Sequence, residues 1–129
     1  MALVTFLVED NKTIRENLIP VLEDMADARV VGFAETESAA ASWLREQGER
    51  WQLAVIDMFL KEGSGLGVLR SCARRGRHQR VVVLTNYATE DMRERCMALN
   101  ADAVFDKSNE IDAFIDYCTG RRPARLGAC

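Results

Sequence analysis

The stretch Leu53-Ala54-Val55-Ile56-Asp57 is four apolar residues closed by a carboxylate. A short run of this kind, without polar alternation, reads as a strand buried on both faces, and in a small chain that means a central strand of a parallel sheet. Asp57 then stands at the carboxyl end of that strand, where open α/β sheets place their binding crevice. Gly63, Gly65 and Gly67 follow as a turn-forming segment before the next helix.

Working outward, the chain alternates strand and helix five times. Leu3 to Val8 is a continuous apolar strand, and Thr13 with Glu16 has the spacing of a capping box. Ile14, Leu18, Val21, Leu22 and Met25 supply the buried stripe of the first helix. Pro20 falls within it and predicts a kink rather than a break, because the apolar period continues past it. Val30 to Ala34 is the second strand; Thr36 or Ser38 caps a helix with Ala40, Trp43 and Leu44 inward, ended by Gly48. Beyond Asp57, a helix through Leu66, Val68, Leu69, Cys72 and Ala73 is closed by Arg74 to His78. Val81 to Leu84 is a further doubly buried strand ending in Thr85. Thr89 caps a helix carrying Met92, Cys96 and Leu99, with Asn100 suited to a left-handed position. Ala103 to Phe105 leads into Asp106-Lys107, Ser108 caps the last helix, and Ile111, Phe114, Ile115 and Cys118 form its single buried face. Gly120 stops it, and residues 121–129 read as a loose basic tail.

This alternation implies right-handed βαβ crossovers and a doubly wound, five-stranded parallel sheet, the flavodoxin-like order 2-1-3-4-5. At 129 residues it is one domain, and a net charge of −3 with mixed signs argues against a dedicated nucleic-acid binder. The first apolar run lacks a basic flank and is too short to span a bilayer, so no signal peptide or membrane helix is expected and the protein reads as cytoplasmic. Cys72, Cys96, Cys118 and Cys129 show no CxxC spacing and read as reduced thiols used as small hydrophobes. The arginines at 74, 75, 77 and 80, and the single histidine His78, read as a solvated end of the fold.

At the strand tips stand Glu9 and Asp10, Asp57, Thr85 and Lys107, and the order 2-1-3-4-5 makes those four strands neighbours. Carboxylates converging in one crevice repel, which raises their pKa values or demands a cation, and oxygen ligands of this kind suit Mg²⁺. Lys107 as a point charge and Thr85 as a hydroxyl donor complete a set suited to a phosphoryl group.

Glu9-Asp10, Asp57, Thr85, Phe105 and Lys107, in this order and spacing, resemble the receiver domain of bacterial two-component response regulators of the single-domain, chemotaxis-regulator type, over residues 1–120. The resemblance implies that Asp57 is a phosphoacceptor taking a phosphoryl group from the phosphohistidine of a sensor histidine kinase or phosphotransfer protein. It further implies Mg²⁺ on Asp10, Asp57, the backbone carbonyl of Phe59 and, through water, Glu9. Lys107 would pair with phosphoryl oxygens, Thr85 would swing toward them, and Phe105 would turn inward as an aromatic switch. The domain would assist its own phosphorylation and dephosphorylation rather than act as an enzyme. Its output would be a protein-binding face of the fourth helix, fifth strand and fifth helix, with a homodimer as one outcome and neither membrane nor nucleic acid bound by the domain itself. If the chain is part of a longer regulator, a DNA-binding module would follow Gly120.

Four departures from the family pattern stand out. Lys61 replaces the usual proline, leaving that loop freer and more positive. Asn86 replaces a small residue, Ser108 replaces proline after the lysine, and Phe59 with Tyr87 puts bulk where water would attack, which predicts slow loss of the phosphoryl group. A metal-dependent phosphatase would carry a second aspartate where Phe59 stands. A receiver-like interaction module that never accepts phosphate would have lost one of the acids or Lys107.

Overall fold

The structure, a computed structural model, describes residues 3–119. Ten elements alternate as β1 (Leu3–Val8), α1 (Lys12–Met25), β2 (Ala28–Ala34), α2 (Glu37–Gln47), β3 (Leu53–Ile56), α3 (Gly65–Ser71), β4 (Arg80–Thr85), α4 (Glu90–Ala98), β5 (Ala103–Asp106) and α5 (Ile111–Thr119). All strand pairs are parallel and the sheet order is β2-β1-β3-β4-β5, as the alternation implies. Residues of alternate parity along the strands build two cores. Phe6, Val8, Ile56, Val81 and Val83 pack under α2, α3 and α4, while Leu7, Leu53, Val55, Val82 and Leu84 pack under α1 and α5. Each large aliphatic side chain buried this way contributes about 1.5–3 kcal/mol.

Several expectations are corrected. The N-cap of α1 is Asn11, whose Oδ1 accepts the Ile14 amide at 3.0 Å, so the helix starts before Thr13 and the Thr13/Glu16 capping box does not form. Asparagine is as strong a cap as threonine and lies closer to the end of β1. Met25 is 57 % exposed, and Arg15 joins Leu18 and Leu22 on the buried face instead. The reading of Pro20 needs no such correction: α1 runs through it without a break. Strand β2 begins at Ala28, and a register shift beside Thr5/Phe6 leaves Val31 without a partner and exposed at the sheet edge. Ser108 is not a cap: Asp106 Oδ1 accepts the amides of both Ser108 (2.8 Å) and Asn109 (3.0 Å), which forms a turn before α5. All peptide bonds among the described residues are trans, including that into Ser108.

Thr36 and Thr89 do cap α2 and α4, Gly48 and Asn100 do take positive φ, and Ser64 caps α3. Cys72, Cys96 and Cys118 are free and buried; burial pushes the Cys72 thiol up to about 11 and Cys118 up to about 12, which keeps both protonated. The expectations for Gly120, Cys129 and the tail lie outside the described residues.

The first turn of α3 is pressed against the segment after Asp57. A Cβ on Gly65 would collide with the carbonyl oxygen of Asp57 and lie 2.8 Å from Met58 Cα; one on Gly67 would strike the Glu37 carboxylate, whose Oε1 accepts the Ser64 amide at 3.0 Å. At Gly65, where the obstacle is backbone, only glycine permits the contact.

Candidate functional site

The register of the sheet sets the site. The Asp57 amide donates to the Val8 carbonyl at 2.9 Å and the Glu9 amide to Ala34 at 3.0 Å, which carries the residues after β1 and β3 out at the same height. Glu9, Asp10 and Asp57 each offer a carboxylate oxygen, all within 4.8 Å of one another. From β5 the Lys107 amide donates to the Thr85 carbonyl at 2.9 Å, and its Nζ reaches Glu9 Oε1 at 2.7 Å and Asp57 Oδ1 at 3.5 Å. Glu9 is 2 % exposed, and its second oxygen accepts the Asn11 amide at 3.2 Å. Burial pushes the Asp57 carboxyl up to about 6; Lys107 acts against that rise and Glu9 adds to it. An all-oxygen set of three carboxylates facing a single ammonium suits a hard divalent cation such as Mg²⁺.

The remaining residues named from the sequence flank this cluster. Thr85 is fully buried and its Oγ1 accepts the Tyr87 amide at 3.2 Å. Phe105 is half-buried, its ring tilted against Phe114 (5.9 Å between centroids) and Tyr117 (5.7 Å) on the α5 side. Phe59 lies two residues beyond Asp57, bridged to Ser64, and its exposed ring meets that of Tyr87 edge-on at 5.0 Å. The loop through Lys61 is tied down rather than free: Lys61 Nζ donates to Glu35 Oε1 at 3.2 Å, and the Glu37 amide donates to the Glu62 carbonyl at 2.9 Å.

Two arginines were not foreseen. Arg15, 7 % exposed, donates to the Glu9 carbonyl at 2.9 Å and to Glu35 at 2.7 Å, with its guanidinium over the Phe33 ring at 4.2 Å. Those hydrogen bonds from Arg15 and Lys61 hold Glu35 below the usual carboxylate range. Its position was readable, since residues 15, 18 and 22 share one helical face. Arg93 donates to the carbonyls of Ala88 (3.0 Å) and Val104 (3.0 Å) and to Glu110 Oε1 (2.7 Å). It precedes Cys96, the buried residue of α4, by one turn.

Comparison with known proteins agrees with this geometry. A family model described as the response regulator receiver domain matches residues 5–118. The chain is 31% identical over 86 residues to the DNA-binding transcriptional activator DevR/DosR of Mycobacterium tuberculosis, a match covering 67% of this chain and 39% of that protein. The matched segment is less than half the length of the curated relatives. Among solved structures, the response regulator domain of Thermotoga maritima CheB superposes with a TM-score of 0.78 at 17% identity, covering 95% of this chain and 100% of that one. The Mn²⁺-bound form of the response regulator Rcp1 does so with a TM-score of 0.69 at 24% identity, covering 98% and 96%.

Proposed function

The chain belongs to the response regulator receiver domain family, and on that premise we propose that it is a phosphoacceptor in a two-component phosphorelay, modified on Asp57. The observation that carries the reading is the convergence of Glu9, Asp10, Asp57 and Lys107 on one point at the sheet rim. An Asp57 carboxylate oxygen attacks the phosphorus of a kinase phosphohistidine, the P–N bond breaks, the imidazole leaves with the electron pair, and an acyl phosphate forms. Asp10, Asp57, the Phe59 carbonyl and, less directly, Glu9 would hold Mg²⁺, which would neutralise charge on the phosphoryl oxygens. Lys107 exchanges Glu9 for a phosphoryl oxygen. The Thr85 hydroxyl leaves the Tyr87 amide and donates to another, and Phe105 turns inward, resetting the α4–β5–α5 face for a downstream protein.

The exposed Phe59–Tyr87 pair at the mouth supports slow hydrolysis of the acyl phosphate; a half-life of only seconds at 25 °C would contradict it. Among the described residues no helix is long and apolar enough to cross a membrane. A cytoplasmic receiver over residues 1–120, signalling from a sensor kinase to a protein target or to a second copy of itself, fits these features.

The test is incubation with Mg²⁺ and acetyl phosphate followed by intact mass. A stable gain of about 80 Da, absent from Asp57→Asn, is the expected result. Catalytic release of phosphate would identify a phosphatase instead, and neither gain nor turnover would leave a phosphate-independent interaction module.

A further inference from the structure

The segments that the switch must move are stapled together by one ion pair. Val104, immediately before Phe105, accepts a hydrogen bond from Arg93 at 3.0 Å; Asp106, immediately after it, donates its amide to Glu110 Oε1 at 2.9 Å. Arg93 and Glu110 join each other at 2.7 Å, so the backbone on both sides of Phe105 is closed into one loop of hydrogen bonds. The third arm of Arg93 donates to the Ala88 carbonyl at 3.0 Å, three residues beyond Thr85. That arm holds the β4–α4 loop, whose Tyr87 amide occupies the Thr85 hydroxyl. For Thr85 to turn toward Asp57 and Phe105 to rotate, the segment 86–88 and the end of β5 must shift relative to each other, and one guanidinium grips both. An ion pair of which each side chain is over a third exposed contributes little by itself. This one is distinguished by its two bonds to backbone carbonyls of separate segments.

We propose that Arg93 and Glu110 form a latch holding Thr85 and Phe105 in their resting arrangement, and so set how readily Asp57 takes a phosphoryl group. The proposal rests on the phosphoacceptor reading above. Both are positioning residues: neither reaches Asp57, and each acts through backbone that carries the switch. Contacts present only in the resting state lower its free energy, and by linkage they weaken affinity for anything that requires the switched state.

The experiment is titration of beryllofluoride, a tetrahedral phosphoryl mimic formed on a carboxylate from beryllium chloride and sodium fluoride, in the presence of Mg²⁺, read by fluorine NMR. Arg93→Met and Glu110→Ala, which removes the oxygen that accepts both bonds, are expected to bind about three- to tenfold more tightly than wild type, and the double variant no more tightly than the stronger single. Arg75→Met, which removes a backbone-clamping arginine far from the switch, serves as the control for general loosening and is expected to leave affinity unchanged. Unchanged or weaker binding by folded latch variants, or equal tightening by Arg75→Met, overturns the latch. Should Arg93→Met fail to fold by circular dichroism, Glu110→Ala alone decides between tightening and no change. Wild-type binding without a gain in the variants sinks the latch alone, whereas a wild type that binds no beryllofluoride on Asp57 removes the phosphoacceptor reading and the latch with it.

Discussion

At the amino end of the sheet Gln79 is buried, with its amide nitrogen on the Gly48 and Trp51 carbonyls (2.9 and 3.0 Å) and its oxygen on the Gly76 amide (3.0 Å). Beside it Arg75 spans the carbonyls of Gln79, Cys72 and Asn100 and the Asp102 carboxylate, which in turn accepts the Val81 amide. At the carboxyl end three carboxylates cluster, Lys107 pairs with only two of them, Glu9 and Asp57, and the Asp57 carboxyl is pushed up to about 6. The Gln79 and Arg75 groups at the first end are matched by the chain itself and therefore hold the fold. Those of the second are left with surplus negative charge, which is the mark of a place meant for something the chain does not supply.

The sharpest way to test that contrast is to damage the matched end. Arg75→Met leaves three carbonyls and a carboxylate without their donor and is expected to lower unfolding free energy by about 2–4 kcal/mol in urea titrations, while acetyl phosphate uptake survives. At the opposite end removing a charge should help. The folded Asp57 carboxyl sits at about 6 against an ordinary 3.8, so the folded protein binds this proton more tightly than the unfolded chain. Stability therefore falls as pH rises between those values and is level above them. Asp57→Asn escapes that loss: it should be more stable than wild type by about 1–3 kcal/mol at neutral pH, with the gap closing on acidification below the ordinary value. Mg²⁺ at saturating concentration should raise the wild-type melting temperature at neutral pH, by the equivalent of about 1–2 kcal/mol, and do much less for Asp57→Asn. Last, Lys61→Ala removes an exposed partner of Glu35 and should shift stability by no more than about 0.5 kcal/mol.

Much of this was legible in the chain because hydrophobic run and strand tip go together: the doubly buried runs at 53–56 and 81–84 could only be central strands, and their following residues could only face the crevice. The threonine cap at 89 was equally plain, and of the two candidates for α2, Thr36 and Ser38, the structure uses Thr36. What escaped is of two kinds. Asn11 outcompeted Thr13 for the start of α1, and Asp106 took the amides that Ser108 was expected to organise, because several short polar side chains in a row offer equivalent local hydrogen bonds and the arriving strand decides among them. Arg15, Arg75 and Arg93 look like solvated charges in a linear sequence. Their guanidinium groups find carbonyls from distant segments, and only the tertiary fold brings those together.

The close seat of Gly65 on the backbone of Asp57 has a mechanical corollary. With no side chain to act as a spacer, and with Glu37 filling the hollow above Gly67, α2, α3 and the segment after β3 are packed directly on one another. A shift of Asp57 toward that flank would meet backbone at once. On the opposite flank β4, α4 and β5 are joined instead by the side-chain hydrogen bonds of Arg93, so any give in the frame around Asp57 belongs to that side and the α2–α3 side is its backstop.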